Sequence, residues 1–265
     1  MQNIIYTFLI VCLLSSCLEV IDLKHDDNAP VLIVDGLITD QPGPHFVKLS
    51  TTISFNSSER SFAVEDATVT LSNDLGEEEQ LLHIGSGTYQ ITTIQGVVGR
   101  TYDLNIDYDG RTYTSRSTML PVSEIAEMAS TFRNATSLSD AGYYVSMAAL
   151  VSVPDKINYY RWKVYKSDSL FSGKEDIIVA EDEYADGSFE FEFEYPFELN
   201  DEVKVEMSSL NKDAYEYYNG LAEVLSSDGG LFSPPPVNAP SNISNGALGL
   251  FQANAVSSDV ITITE

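Results

Sequence analysis

Between Tyr102 and Thr118 the chain writes a β-hairpin in its side-chain pattern. Tyr102, Leu104, Ile106 and Tyr108 alternate with Asp103, Asn105 and Asp107, and after Asp109-Gly110 the segment Arg111 to Thr118 returns. A period of two sends successive side chains to opposite faces of a strand, so one face is apolar and the other wet. Asp-Gly suits a two-residue loop because both central residues need positive φ. The same grammar recurs upstream. Val31 to Val34 is an apolar run ending near Asp35-Gly36, and Val47, Leu49, Thr51 and Ile53 alternate with polar residues. Ala67, Val69 and Leu71 lead to Asn73-Asp74-Leu75-Gly76, a turn signal, and Gln80 to Ile84 and Thr88 to Thr93 flank Gly85-Ser86-Gly87. About seven short strands with no convincing helix between them predict an antiparallel β-sandwich over residues 30–120.

Leu120-Pro121-Val122-Ser123 marks a boundary, and strands resume beyond it at 143–152, 158–166, 177–180, 188–195 and 203–209. In the fourth, Phe189, Phe191, Phe193 and Tyr195 share one face while Glu190, Glu192 and Glu194 share the other. Ala214, Tyr217, Tyr218, Leu221, Ala222 and Leu225 fall on one helical face, which predicts a helix near 211–225 with Asn211 as its N-cap. Gly220 inside it costs about 1 kcal/mol relative to alanine. Residues 232–245 read as a proline-rich loop, and 247–256 and 260–264 as the strands that close a second domain, 121–265. The fold class expected is therefore mainly β, with two antiparallel sandwich-like domains, the second carrying one α-helix.

The N-terminus gives an address. An apolar run from Ile4 ends in Leu14-Ser15-Ser16-Cys17, the pattern of a bacterial lipobox, in which the cysteine becomes the first mature residue and is acylated. The run is too short to span a bilayer as a helix. Residues 1–16 are thus expected to be a signal peptide, Cys17 the lipidation site, and the acidic stretch 17–29 a tether. The alternative is a cytosolic chain with an apolar N-terminal strand, since Met1-Gln2-Asn3 carries no Lys or Arg. The other cysteine, Cys12, lies in the signal, so no disulfide is expected in the mature fold. Forty acidic against fourteen basic residues give a net charge of −26, which argues against a nucleic-acid partner because phosphate recognition needs a basic footprint. Membrane attachment is then expected through lipid alone.

Catalytic patterns are sparse. His25, His45 and His83 sit in no Ser-His-acid, zinc or phosphate-loop motif. Asp182-Glu183-Tyr184-Ala185-Asp186-Gly187 begins like a calcium loop, but Tyr184 and Phe193 occupy ligand positions, and Asp186-Gly187 reads better as a turn. Glu190, Glu192 and Glu194 could serve as paired carboxylates of a surface hydrolase, yet three like charges on one strand face more often form a solvated surface. No cofactor and no metal are expected. The contact surface for a partner protein is expected at Phe232, Pro234, Pro235 and Pro236, because a pre-stiffened segment loses less entropy on binding; the alternative is a loop packed down to seal the second domain.

Val34-Asp35-Gly36-Leu37-Ile38-Thr39-Asp40, Pro42-Gly43-Pro44, Gly99-Arg100-Thr101-Tyr102, Asn158-Tyr159-Tyr160-Arg161-Trp162 and Asn242-Ile243-Ser244-Asn245-Gly246-Ala247-Leu248-Gly249 together resemble a Bacteroidota outer-membrane lipoprotein family, a domain of unknown function. The family tail usually continues with glycine where this chain has Gln252. The first half also resembles the carboxypeptidase regulatory-like, transthyretin-type sandwich. The resemblance implies an outer-membrane lipoprotein often encoded beside TonB-dependent receptors, with no catalytic residue to carry over. The expected function is a non-catalytic binding or accessory component of such a receptor in nutrient uptake, with a small-molecule or peptide ligand. The alternative is a surface hydrolase using carboxylates of the second domain.

Overall fold

The computed structural model describes residues 30–53, 61–137, 139–170, 177–226 and 238–265. Cys17 and the Phe232–Pro236 segment lie outside the described residues. Sheet I is built from β1 (Leu32–Thr39), β2 (His45–Thr51), β3 (Phe62–Ala63), β6 (Leu82–Gly85), β7 (Thr88–Ile91) and β17 (Leu248–Asn254), in the order β17-β1-β2-β7-β6 with β3 on β2. Sheet II holds β4 (Thr68–Asn73), β5 (Glu78–Gln80), β8 (Thr101–Tyr108) and β9 (Arg111–Thr118), in the order β5-β4-β8-β9. Sheet III is β10 (Ile125–Arg133), β11 (Gly142–Leu150) and β15 (Ser188–Glu192). Sheet IV contains β12 (Tyr159–Lys166), β13 (Ser169–Leu170), β14 (Ile178–Glu181), β16 (Glu202–Leu210) and β18 (Val256–Thr262).

Two cores follow from the alternation. Leu32, Val34, Val47 and Leu49 of sheet I meet Val69, Leu71, Leu104 and Ile106 of sheet II. Met147 and Phe193 meet Trp162, Val164, Val205 and Met207 between sheets III and IV. Phe191 stacks on the Trp162 indole at 4.5 Å, so the phenylalanine face of the Phe189–Tyr195 run is the inner face, while Glu190, Glu192 and Glu194 point to water. Asp109 and Gly110 take φ of 49° and 68° and leave Tyr108 paired with Arg111, the two-residue hairpin the sequence predicts.

The last strands depart from the expected second domain 121–265. β17 pairs with β1, in parallel, from Ile33 opposite Leu248 to Thr39 opposite Asn254. Ile243, Ala247, Phe251 and Ala253 belong to the first core. The reason is burial: Gly249 to Asn254 are all buried, so β17 is covered on both faces and cannot serve as a half-wet closing strand. Ala255 alone separates β17 from β18, so the chain steps directly from sheet I into sheet IV. Ser209 of β16 fixes that step: its N–H donates to Ala255 O at 3.0 Å, and its hydroxyl accepts from Ala255 N–H at 3.1 Å and donates to Leu120 O at 2.7 Å. Leu120 is where the chain first leaves the first pair of sheets, so one buried serine ties both crossings.

The tail motif acts as a strap along the free edge of β9. Ser244 N–H donates to Thr114 O and Ser244 Oγ accepts from Thr114 N–H, while the Asn245 amide donates to Thr112 O. Asn242 makes both bonds to the backbone of Phe251, at 2.7 and 3.0 Å. An edge strand that would otherwise invite pairing with another chain is thereby blocked.

β10 is a strand that the sequence pattern does not predict. Ile-Ala-Glu-Met-Ala favours helix locally, but pairing along the whole of β11 overrides that preference. The expected helix runs as α1 (Lys212–Ser226), with Asn211 Oδ1 accepting from Ala214 N–H at 2.8 Å as the N-cap. Gly220 has a packing reason: a Cβ there would come within 2.9 Å of the Pro240 ring and 3.2 Å of Ala239 Cα.

The β1–β17 ladder sets a sharp test. Gly249 has φ of 100°, and a Cβ would sit 1.9 Å from Val34 O. Gly249→Ala should therefore destabilise by at least about 2 kcal/mol in urea unfolding. Gly246→Ala, with φ of 76° but open space around it, should cost only about 1 kcal/mol.

Candidate functional site at the junction of the two sheet pairs

Tyr160, Trp162 and Val164 of β12 point into the second core, which sends Tyr159, Arg161, Lys163 and Tyr165 to the other face of sheet IV. That face does not meet open water along its length. Helix α1 packs there, with Ala214 and Tyr218 buried beside Leu210 and Leu250 of β17. Sheet I is therefore brought against sheet IV by the same strand that closes the first core.

The Tyr218 hydroxyl is the hub of this junction. Arg161 Nη1 donates to it at 2.6 Å and Gln252 Nε2 at 2.7 Å, so helix, sheet IV and sheet I converge on one oxygen. The guanidinium also lies over the Tyr218 ring, its Cζ 4.1 Å from the centroid, a cation–π arrangement. Its Nε is buried and has no partner among the described residues. Burial pulls the neighbouring Lys163 ammonium below its usual pKa and Arg161 adds to the effect, while Glu206 and Asp35 oppose it. Burial also raises the Tyr217 phenol, with Tyr218 and Asp35 adding and Arg161 opposing. Tyr165 is pushed up to about 12 by burial, reinforced by the Glu206 carboxylate to which it donates at 2.9 Å. Convergent polar groups with shifted pKa values at the meeting of two layers are what a binding site offers. None of them is a nucleophile held by a base.

Other acidic residues are committed to the fold. Asp182 is buried and accepts from Asn158 N–H at 2.7 Å, the Asn158 amide at 2.8 Å and Tyr160 O–H at 2.9 Å. It thus tethers the β12 entry rather than opening a calcium loop. Asp155, Glu183 and Asp186 rim a cavity of about 490 Å³ beside it, yet no group of three or more acidic, histidine or cysteine side chains among the described residues is arranged to hold a metal. Glu192 is tied to Arg133 at 2.6 Å on the outer face of sheet III. A groove of about 850 Å³ crosses the outer face of sheet II, floored by Thr70, Ser72, Asn105 and Thr114 and by the Asp103–Arg116 ion pair. His83 lies 5.0 Å from the Tyr89 ring, and burial lowers the pKa of His45.

The sequence pattern gives Lys163, Tyr218 and Gln252 no role in a site, although Tyr218 falls on the predicted helical face and Gln252 stands out from the family tail. Arg161 was inside a quoted motif but carried no role. Two cations two residues apart on a tyrosine-rich strand were the available signal. Gln252, where the resemblance led one to expect glycine, supplies the side chain that reaches Tyr218.

Residues 19–259 match the family model described as a domain of unknown function, DUF4249. No curated protein matches the chain.

Glu79 supplies the clearest pH prediction. Its buried carboxylate accepts from the backbone N–H groups of Thr92, Thr93 and Ile94 and from both threonine hydroxyls, at 2.5–2.9 Å. Burial alone would raise its pKa, but these five bonds outweigh it and bring it from 4.5 to about 2. A depressed carboxylate stabilises the fold fully above its unfolded pKa, and that contribution is lost as pH falls through the folded one. The shift corresponds to about 3 kcal/mol. Glu79→Gln should be markedly less stable than the wild type at pH 7 in urea unfolding. The gap should narrow steadily between pH 5 and 2, the window set by those two values.

Proposed function

The chain belongs to the DUF4249 family, and on that footing we propose that it is a cell-envelope lipoprotein of the outer membrane that binds rather than catalyses. It is held by an acylated Cys17 and serves as an accessory to a TonB-dependent receptor in nutrient uptake. The observation that carries this reading is Leu14-Ser15-Ser16-Cys17 at the end of a short apolar run, followed by an acidic tether. No helix among the described residues is long and apolar enough to cross a membrane, and an acyl anchor needs none. Binding is favoured over catalysis by the junction, where convergent groups surround tyrosine and two cations rather than a nucleophile–base pair. The residues Phe232, Pro234, Pro235 and Pro236 remain the proposed receptor contact. Their proline run is pre-stiffened, which lowers the entropy lost on docking.

Labelling of cells with a palmitate analogue should tag the wild type and leave Cys17→Ser untagged; equal labelling of both overturns the anchor. Mild detergent extraction followed by affinity isolation should recover a TonB-dependent receptor in stoichiometric amount. Recovery of the protein alone in several gentle detergents overturns the accessory role and leaves a free-standing binder.

A further inference from the structure

Sheet III leaves one long edge without a guard. β10 pairs with β11 alone, and its nine residues, Ile125–Arg133, hold no proline and only two charges, Glu127 and Arg133. Two other long edges are managed: the tail strap covers β9, and β18 carries Asp259 at its middle. Which backbone groups of β10 stand free follows from its neighbour. Tyr143 of β11 exchanges both its bonds with Phe197, and Val145 O accepts from Phe193 N–H, so the odd-numbered residues there turn their backbone groups away from β10. Antiparallel bonding alternates, so Gly142, Tyr144, Ser146 and Ala148 bond to their register partners Arg133, Thr131, Ala129 and Glu127. The N–H and C=O groups of Met128, Ser130 and Phe132 are left pointing outward, and none has a partner among the described residues. The Phe132 side chain is 53% exposed. A row of unpaired backbone groups is a template for another strand, and β10 has none of the devices that usually block one.

We propose that β10 is the contact through which two copies of this chain associate, pairing antiparallel about a two-fold axis at Ser130. A two-fold contact requires that where residue i faces j, j faces i. The free groups sit on even-numbered residues, so only registers that set those residues opposite one another can bond. Centring on Ser130 is the register that engages all three, with Ser130 facing itself and Met128 facing Phe132. Each such pair exchanges two bonds, about six in all. The same register sets Glu127 opposite Arg133 of the second copy, twice, at the closely spaced positions between bonded pairs, where opposite charges attract. A slip of two residues would set Glu127 against Thr131, or Arg133 against Ala129, and lose the match. Glu127 is exposed and has no ion pair among the described residues. Arg133 spends Nη2 on Glu192 at 2.6 Å and keeps the rest of its fork for a second carboxylate. Two chains of charge −26 repel, so a self-contact must be locally neutral. β10 is, and salt confines the remaining repulsion to about 8 Å. Met128 packs against the second core, so Phe132 of the other copy, set across from it on the same face, is covered.

The test is the oligomeric state of the full chain, with Cys12 and Cys17 replaced by serine so that no acyl group or native thiol intervenes. In sedimentation equilibrium at about 0.15 M salt, the mass should rise with concentration from one chain to two. Kd should be on the order of 10 µM, as a small interface gives. Glu127→Arg should raise Kd about tenfold or more, because it sets like charges opposite each other at both ends of the contact. Adding Arg133→Glu should return Kd to within about threefold of the starting value, since the charges are then exchanged rather than lost. Ser130→Cys should be captured as a covalent dimer on mild oxidation, because directly opposed residues of a ladder lie within disulfide reach. Met128→Cys, on the same edge but about 13 Å from its own copy in this register, should not. Fluorescence of Trp162, the one tryptophan, buried in the second core, reports that each variant is folded. A chain that stays monomeric up to about 200 µM overturns the proposal, as does assembly beyond two chains. A dimer indifferent to Glu127→Arg, a double variant that does not recover, or faster capture of Met128→Cys than of Ser130→Cys overturns it as well.

Discussion

The parallel pairing of β1 with β17 is the constraint from which the rest of the architecture follows. Parallel neighbours need a crossover, normally a dozen residues or one helix. Here the crossover is everything between Thr39 and Leu248, including all of sheets II and III and every strand of sheet IV except β18. The first core is therefore incomplete until the end of the chain arrives, because Phe251, Ala253 and Ala255 are part of it. Contacts of such long sequence separation make closure late and the two halves interdependent. The glycine at 249 is the local concession, letting the backbone pass Val34 where any side chain would collide.

Once β17 is in place, the junction is almost dictated. A single residue, Ala255, carries the chain into sheet IV, and Ser209 pins that step together with Leu120. Sheet IV must then lie against sheet I with α1 in the angle between them. What fills the angle is polar: a tyrosine hydroxyl shared by an arginine and a glutamine. Buried polar networks of this kind add less to stability than apolar packing would, and they fix orientation because each donor must find its acceptor.

The acidity of the chain contributes little to holding it together. Its ion pairs are largely at the surface, where each is worth about 1 kcal/mol or less. The carboxylates that matter for folding are the buried ones, Glu79 gathering the Thr92–Ile94 backbone and Asp182 gathering the entry to β12. Both replace missing secondary-structure bonds with side-chain acceptors, as buried N–H groups require. The rest of the negative charge is a solvated coat.

By itself the sequence determined local structure wherever one rule acted alone. Period-two alternation placed β8 and the phenylalanine face of 189–195, Asp109-Gly110 specified the hairpin that returns as β9, and Asn211 with the spacing of Ala214 and Tyr218 placed the helix. Each of these is decided by a few neighbouring residues, so the pattern is sufficient. Partnership was another matter. That 247–256 forms a strand was readable; that it joins β1 rather than the second domain was not, because backbone hydrogen bonds carry no address and register is chosen by which apolar faces can be buried together. β10 became a strand against its own propensity for the same reason. The junction belongs wholly to tertiary structure: Arg161, Tyr218 and Gln252 are far apart in the chain, and only the return of β17 to β1 brings their side chains onto one oxygen.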